Sequence, residues 1–114
     1  MRLALIYDRN AELISFWQKF LTQRNFQVKT CSDPTKLYKV LANNSPHFIL
    51  LDADLPESGA ILGYANTLLP KSQPNIILYT IADAANLNKK VLGAKIIELR
   101  NITPNKLEEI FNER

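Results

Sequence analysis

Phe48-Ile-Leu-Leu-Asp-Ala-Asp-Leu-Pro56 is the stretch on which the fold of this 114-residue chain turns. Four consecutive apolar residues leave no polar face, the pattern of a strand buried on both sides. Such strands belong to parallel sheets with helices packed on each face. The run stops at Asp52, and residues 52 to 59 then read as a loop carrying Asp52, Asp54, a proline and a glycine. Because this is the most hydrophobic strand of the chain, Asp52 is expected at the carboxyl end of the central strand.

The segments on either side repeat the alternation. Leu3 to Tyr7 is a short apolar run that ends at Asp8-Arg9-Asn10. Asn10 can cap a helix in which Leu13, Phe16, Trp17, Phe20 and Leu21 recur at spacings of three and four, the spacing of a core-facing stripe. Asn25 is expected to end that segment in the left-handed conformation. Phe26 to Cys31 alternates as a second strand. Asp33 followed by Pro34 is a cap-then-proline helix start, with Leu37, Val40 and Leu41 as its buried stripe. Beyond the central strand, Ala60 to Leu69 reads as a helix ended by Pro70, and Asn75 to Tyr79 as a fourth strand stopping at Thr80. Ala84 to Leu92 reads as a short helix terminated by Gly93, with Asp83 as its cap, and Lys95 to Leu99 as the fifth strand. Thr103-Pro104 restarts a helix carrying Leu107, Ile110 and Phe111 on one face. Five strands alternating with five helices predict an α/β, doubly wound parallel sheet with right-handed crossovers. No repeat, low-complexity segment or linker interrupts residues 1–114, so a single domain is expected.

Composition narrows the function. The hydrophobic fraction is 46% and the charged fraction 22%, ordinary for a globular domain. Net charge is +3 and the pI about 9.1, which invites a nucleic-acid reading. The basic residues are scattered from Arg2 to Arg114, however, with Lys89-Lys90 their only adjacent pair and no interleaved aromatics, so a solvated surface is expected. The single cysteine, Cys31, excludes an internal disulfide and a cysteine-based zinc site, and reads as a buried thiol. Gly59, Gly63 and Gly93 form no phosphate-cradling pattern, which argues against a nucleotide-binding enzyme and a flavin site. No apolar run approaches a membrane span, and the first residues reach a charge too quickly for a signal peptide. A cytoplasmic protein without a membrane partner is the expectation.

Ligands of open α/β sheets bind beyond the carboxyl ends of the strands, where this sequence puts Asp8, Asp52, Thr80 and Arg100. Two neighbouring carboxylates call for a hard divalent cation such as Mg2+. A hydroxyl and a cationic side chain on the same rim can hold a phosphoryl group carried by one of them. His47 precedes the third strand, away from any helical face, and a packing role is expected for it. Tyr79 faces the opposite side of the sheet from Thr80 and is expected in the core.

These residues resemble the CheY-like response-regulator receiver family across essentially the whole chain. Phe48 to Pro56 is similar to the family's phosphoacceptor strand and loop, Leu3 to Asn10 to its first strand and acidic pair, Ile76 to Thr80 to its fourth strand and switch hydroxyl, and Gly93-Ala94 to its glycine-alanine turn. The resemblance implies a flavodoxin-like strand order of 2-1-3-4-5. It also implies Asp52 as phosphoacceptor, Mg2+ held by Asp8, Asp52 and the backbone carbonyl of Asp54, and Thr80 and Arg100 as the groups that bind the phosphoryl oxygens.

Four positions depart from the pattern. Tyr7 stands in place of one acid and weakens the attraction for Mg2+. Arg9 adds a cation expected to pair with Asp52 or Asp54 in place of a metal. Arg100 and Asn101 replace a lysine and a cis-proline. Ile97 replaces the usual switching aromatic. Together they point to an atypical receiver or pseudo-receiver of a bacterial two-component phosphorelay, not an enzyme beyond self-phosphorylation and dephosphorylation at Asp52. Its expected partner is a histidine kinase or another signalling protein, and its expected self-association a homodimer through the last two helices and the fifth strand. The alternatives are a phosphorylation-competent receiver using Mg2+ and, on pI alone, a nucleic-acid-binding domain.

Overall fold

The structure, a computed structural model, describes residues 2–67, 75–80 and 94–112. Its strands are β1 (Leu3–Tyr7), β2 (Gln27–Cys31), β3 (Phe48–Asp52), β4 (Asn75–Thr80) and β5 (Ala94–Glu98), and its helices α1 (Ala11–Thr22), α2 (Pro34–Asn43), α3 (Ser58–Asn66) and α4 (Pro104–Asn112). The strands form one sheet in the order β2-β1-β3-β4-β5, every pair parallel. The fold is the doubly wound five-stranded sheet that the sequence implied. The expected helix over residues 84–92, with Asp83 and Gly93 at its ends, lies outside the described residues.

Strand alternation builds two cores. Ala4, Ile6, Leu50, Ile77 and Tyr79 point to one face and pack with Trp17, Leu21 and Phe111 of α1 and α4. Leu5, Tyr7, Ile49, Leu51, Ile76 and Leu78 point to the other and pack with Leu37, Leu41 and Ile61 of α2 and α3. Right-handed crossovers account for this division: the chain moves from β1 outward to β2, then back through β3 to β4, and the reversal carries the next helices to the opposite face. Pro34 and Asp33 act as expected, Asp33 Oδ1 accepting from the Thr35 N–H at 2.8 Å. Asn10 Oδ1 accepts from Glu12 and Leu13 at 2.9 and 3.2 Å, and Asn25 takes the left-handed conformation at φ 66°.

Several boundaries shift. α3 begins at Ser58, earlier than the Ala60 start read from sequence, and β5 stops at Glu98 because Leu99–Asn101 turns into a 3-10 segment. Phe16, expected in the core, is 43% exposed. It lies on the rim of an apolar groove of about 490 Å3 between α1 and α4 that Leu13, Phe20, Leu99 and Leu107 help to line. One side of α1 serves the sheet, and Trp17 takes that place. Arg24 fastens α1 to α4, its guanidinium 3.6 Å from the Phe20 ring centroid and paired with Glu108. His47 packs edge-on against Phe48 with centroids 4.9 Å apart. Burial pushes the Cys31 thiol up and keeps it protonated. None of the described helices is long and apolar enough to cross a membrane.

Leu50 is fully buried on the central strand, and the close-packed surroundings cannot collapse onto the space its side chain would leave. Leu50→Ala is therefore expected to lower the unfolding free energy by about 2–5 kcal/mol, read as a reduced urea midpoint with an unchanged slope.

Candidate functional site

Parallel pairing brings the strand ends to one edge of the sheet. Tyr7 is in register with Leu51, Asp52 with Tyr79, and Thr80 with Glu98. Asp8, one residue past β1, is buried to 1% exposure, where a carboxylate is stable only if donors replace its water. It has three. Oδ1 accepts from the backbone N–H groups of Arg9 at 2.7 Å and Asn10 at 3.0 Å, and Oδ2 accepts from the Tyr79 hydroxyl at 2.5 Å. Burial first, and then this bond to Asp8, raise the phenol's proton affinity well above its ordinary value, so Tyr79 remains a donor. Tyr79 is thus a core residue, as expected, whose polar tip reaches the site. Trp17 packs beside it with ring centroids 5.3 Å apart. The Trp17 indole N–H lies close enough to the phenol to oppose its shift slightly, yet makes no bond of normal geometry and has no partner among the described residues.

Asp52 is partly buried at the end of β3. Its Oδ1 accepts from the Asp54 backbone N–H at 2.9 Å, the local turn that aspartate side chains favour. Burial raises the Asp52 carboxyl from 3.8 to about 6, and the nearby Asp8 charge adds to the rise while the Asp54 N–H opposes it. The two carboxylates thus form an acidic pair whose repulsion no described cation relieves. Thr80, 1% exposed, shares its hydroxyl hydrogen between the two carboxylate oxygens of Asp54 at 2.9 and 3.0 Å.

The two expected cations lie elsewhere. Arg9 pairs with neither Asp52 nor Asp54. Its two terminal nitrogens grip the Glu57 carboxylate, Nη1 at 3.2 Å from Oε1, and its Nε donates to the Ser32 carbonyl at 3.2 Å. The Glu57 carboxylate receives the fork with both oxygens, the bidentate geometry that suits an arginine. Tyr7, at the position of the missing acid, donates its hydroxyl to Glu57 Oε2 at 2.8 Å. Arg9 first and Tyr7 second hold the Glu57 carboxyl down at about 2, while burial and then Glu57 raise the Tyr7 phenol. Arg100 is exposed in the 3-10 turn beyond β5 and has no hydrogen bond or ion pair with Asp8, Asp52, Asp54 or Thr80. Because β5 ends early, the residue in register with Thr80 is Glu98. No cis peptide bond occurs among the described residues.

Asp8 and Asp52 fit the donor chemistry of a hard divalent cation: two oxygen ligands whose mutual repulsion a cation would relieve. Among the described residues no cluster of three or more acidic, histidine or cysteine side chains could hold a metal. The remaining ligands would be the Asp54 carbonyl and water, a composition that Mg2+ accepts.

No protein-family model matches the chain, and no curated protein matches its sequence significantly. Solved structures do match its fold. A CheY-like response-regulator receiver domain from Methylobacillus flagellatus superposes at TM-score 0.80 with 19% identity, covering 97% of this chain and 96% of that one. The chain has the receiver fold. The receiver TrrA of Thermotoga maritima, solved with Mg2+ and BeF and also with the histidine kinase ThkA, gives TM-score 0.77 in the former, with 18% identity over 97% and 96% of the two chains. The pseudo-receiver domain of the CikA protein gives 0.72 with 18% identity over 97% and 94%.

In this receiver fold, Asp8, Asp52 and Thr80 meet at one edge as the sequence suggested, Arg100 does not join them, and Asp54 enters through its side chain as well as its turn. Glu57 was missed. Its signal was weak: an acid five residues past Asp52 on the same loop, opposite an arginine and a buried tyrosine whose polar ends needed partners.

The acidic pair has a pH signature. Between about pH 4 and pH 6 the folded protein binds more protons at Asp52 than the unfolded chain does, so the stability contributed by this group falls as pH rises through that window. Without divalent cations, Asp52→Asn should stabilise the protein at pH 7.5 by about 1–2 kcal/mol, a value discounted for the group's partial exposure. Its advantage should vanish near pH 3.5 in matched urea titrations.

Proposed function

We propose that this chain is a receiver-type signalling module of a bacterial two-component phosphorelay that works through protein contact, with phosphorylation at Asp52 weak or absent. The observation that carries this reading is that the groups suited to hold a phosphoryl group on Asp52 are engaged or placed elsewhere. The Thr80 hydroxyl bonds Asp54, Arg9 is gripped by Glu57, and Arg100 lies exposed beyond β5. A phosphoryl group at Asp52 would add negative charge beside Asp8 with no cationic side chain among the described residues placed to receive it, and such transfers depend on that electrostatic clamp.

The second reading is a phosphorylation-competent receiver. The acidic pair favours it, since Mg2+ held by Asp8, Asp52 and the Asp54 carbonyl would neutralise the charge that no described cation compensates. The fold neighbour TrrA, which binds Mg2+, supports it too. On both readings the partner is a histidine kinase or another signalling protein, in keeping with the TrrA–ThkA complex. The protein would act in the cytoplasm, with a homodimer through β5, α4 and the helix expected over residues 84–92 as its self-association, and its chemistry would be limited to Asp52 itself.

Incubation with acetyl phosphate and Mg2+, followed by intact-mass measurement, separates the two readings. The expected result is at most a minor phosphorylated fraction. Near-complete phosphorylation that Asp52→Asn abolishes would overturn the first reading and establish the second.

A further inference from the structure

Asp8 holds its hydrogen bonds unequally. Oδ1 is fixed by two backbone N–H groups of the turn that leads into α1, while Oδ2 has a single side-chain donor, the Tyr79 hydroxyl. Oδ2 is therefore the oxygen that an incoming cation can take without breaking the backbone turn. Tyr79 is fully buried, and its displaced hydroxyl cannot turn to water. Next to it lies the one described group that lacks what it could offer: the Trp17 indole N–H, buried, donor-only and unpartnered. An orphaned buried donor on a ring packed 5.3 Å, centroid to centroid, from a phenol whose oxygen keeps free lone pairs marks a rearrangement that the native state stops short of making.

We propose that Tyr79 is a positioning residue that couples the acidic pair to the core, releasing Asp8 Oδ2 when a divalent cation binds and turning its oxygen to accept the Trp17 N–H. The receiving end is extensive. Trp17 packs on Phe20 and Phe111 with centroids 6.2 and 6.0 Å apart, so a shift of its ring reaches both α1 and α4, the walls of the apolar groove. The inference rests on the cation-binding capacity described under Proposed function and holds whether or not Asp52 is phosphorylated.

Trp17 is the sole tryptophan, so the emission and the indole N–H resonance report its surroundings alone, and Tyr79→Phe isolates the contribution of the Tyr79 oxygen. Mg2+ is titrated into the wild type and Tyr79→Phe, with calorimetry giving the cation occupancy of each and circular dichroism the fold. At saturating Mg2+, the wild-type indole N–H resonance should move downfield and the emission should change. In Tyr79→Phe both responses should be lost. Wild-type saturation by calorimetry with an unmoved indole resonance would overturn the coupling while leaving the cation site intact. A full response in Tyr79→Phe would likewise overturn it. If calorimetry detects no Mg2+ binding to the wild type, the cation site and the coupling built on it both fail. Should Tyr79→Phe not fold, the wild-type indole shift decides alone.

Discussion

A strand buried on both faces can keep polar groups only at its ends, and parallel strands deliver those ends to the same edge. That constraint governs this molecule. β1, β3 and β4 are apolar between their ends, so the polar side chains at their carboxyl ends, Asp8, Asp52 and Thr80, converge where the strands stop. Convergence of acids at a partly dry edge is costly, since each carboxylate disfavours the ionised form of its neighbour. The rest of the rim can be understood as the local response to that charge. Two backbone N–H groups and a phenol satisfy Asp8, a backbone N–H supports Asp52, and a buried hydroxyl orients Asp54.

The response divides into two compartments. On the inner side, the Tyr79–Asp8 hydrogen bond continues into the aromatic core under α1, with Asp52 beside it. On the outer side, Arg9 and Glu57 neutralise each other with Tyr7 bonded to the acid, and no described cation is left at the acidic pair. An exposed ion pair of this kind adds little to global stability. Its effect is positional, because it holds Arg9 on Glu57 and not on Asp52. The described residues thus keep the receiver sheet order while the charged side chains at its carboxyl edge pair among themselves.

Much of this was legible in the chain itself. The apolar runs and the cap residues Asn10, Asp33 and Thr103 are local signals, and local physics places the elements they mark. The strand ends follow from those elements, which is why Asp8, Asp52 and Thr80 could be named together. Pairings between loops were not legible. Whether Arg9 turns to Asp52, Asp54 or Glu57 depends on angles set by three separate loop conformations, and all three acids are close in sequence. The reach of the Tyr79 hydroxyl across to Asp8 is hidden for a related reason: alternation fixes the face a ring packs on but not how far its tip extends along the sheet. Phe16 misled because a stripe at spacings of three and four can exceed the width of the surface available to bury it, and only the contact with Trp17 at the centre decides which member is left out.

Arg9 draws partners from two loops at once, the Ser32 carbonyl after β2 and Glu57 before α3, while its own backbone N–H is fixed to Asp8. The loops after β1, β2 and β3 are therefore laced into a single body at the mouth of the site. A ligand arriving there meets walls whose conformational freedom was surrendered during folding, so little further ordering entropy opposes its capture.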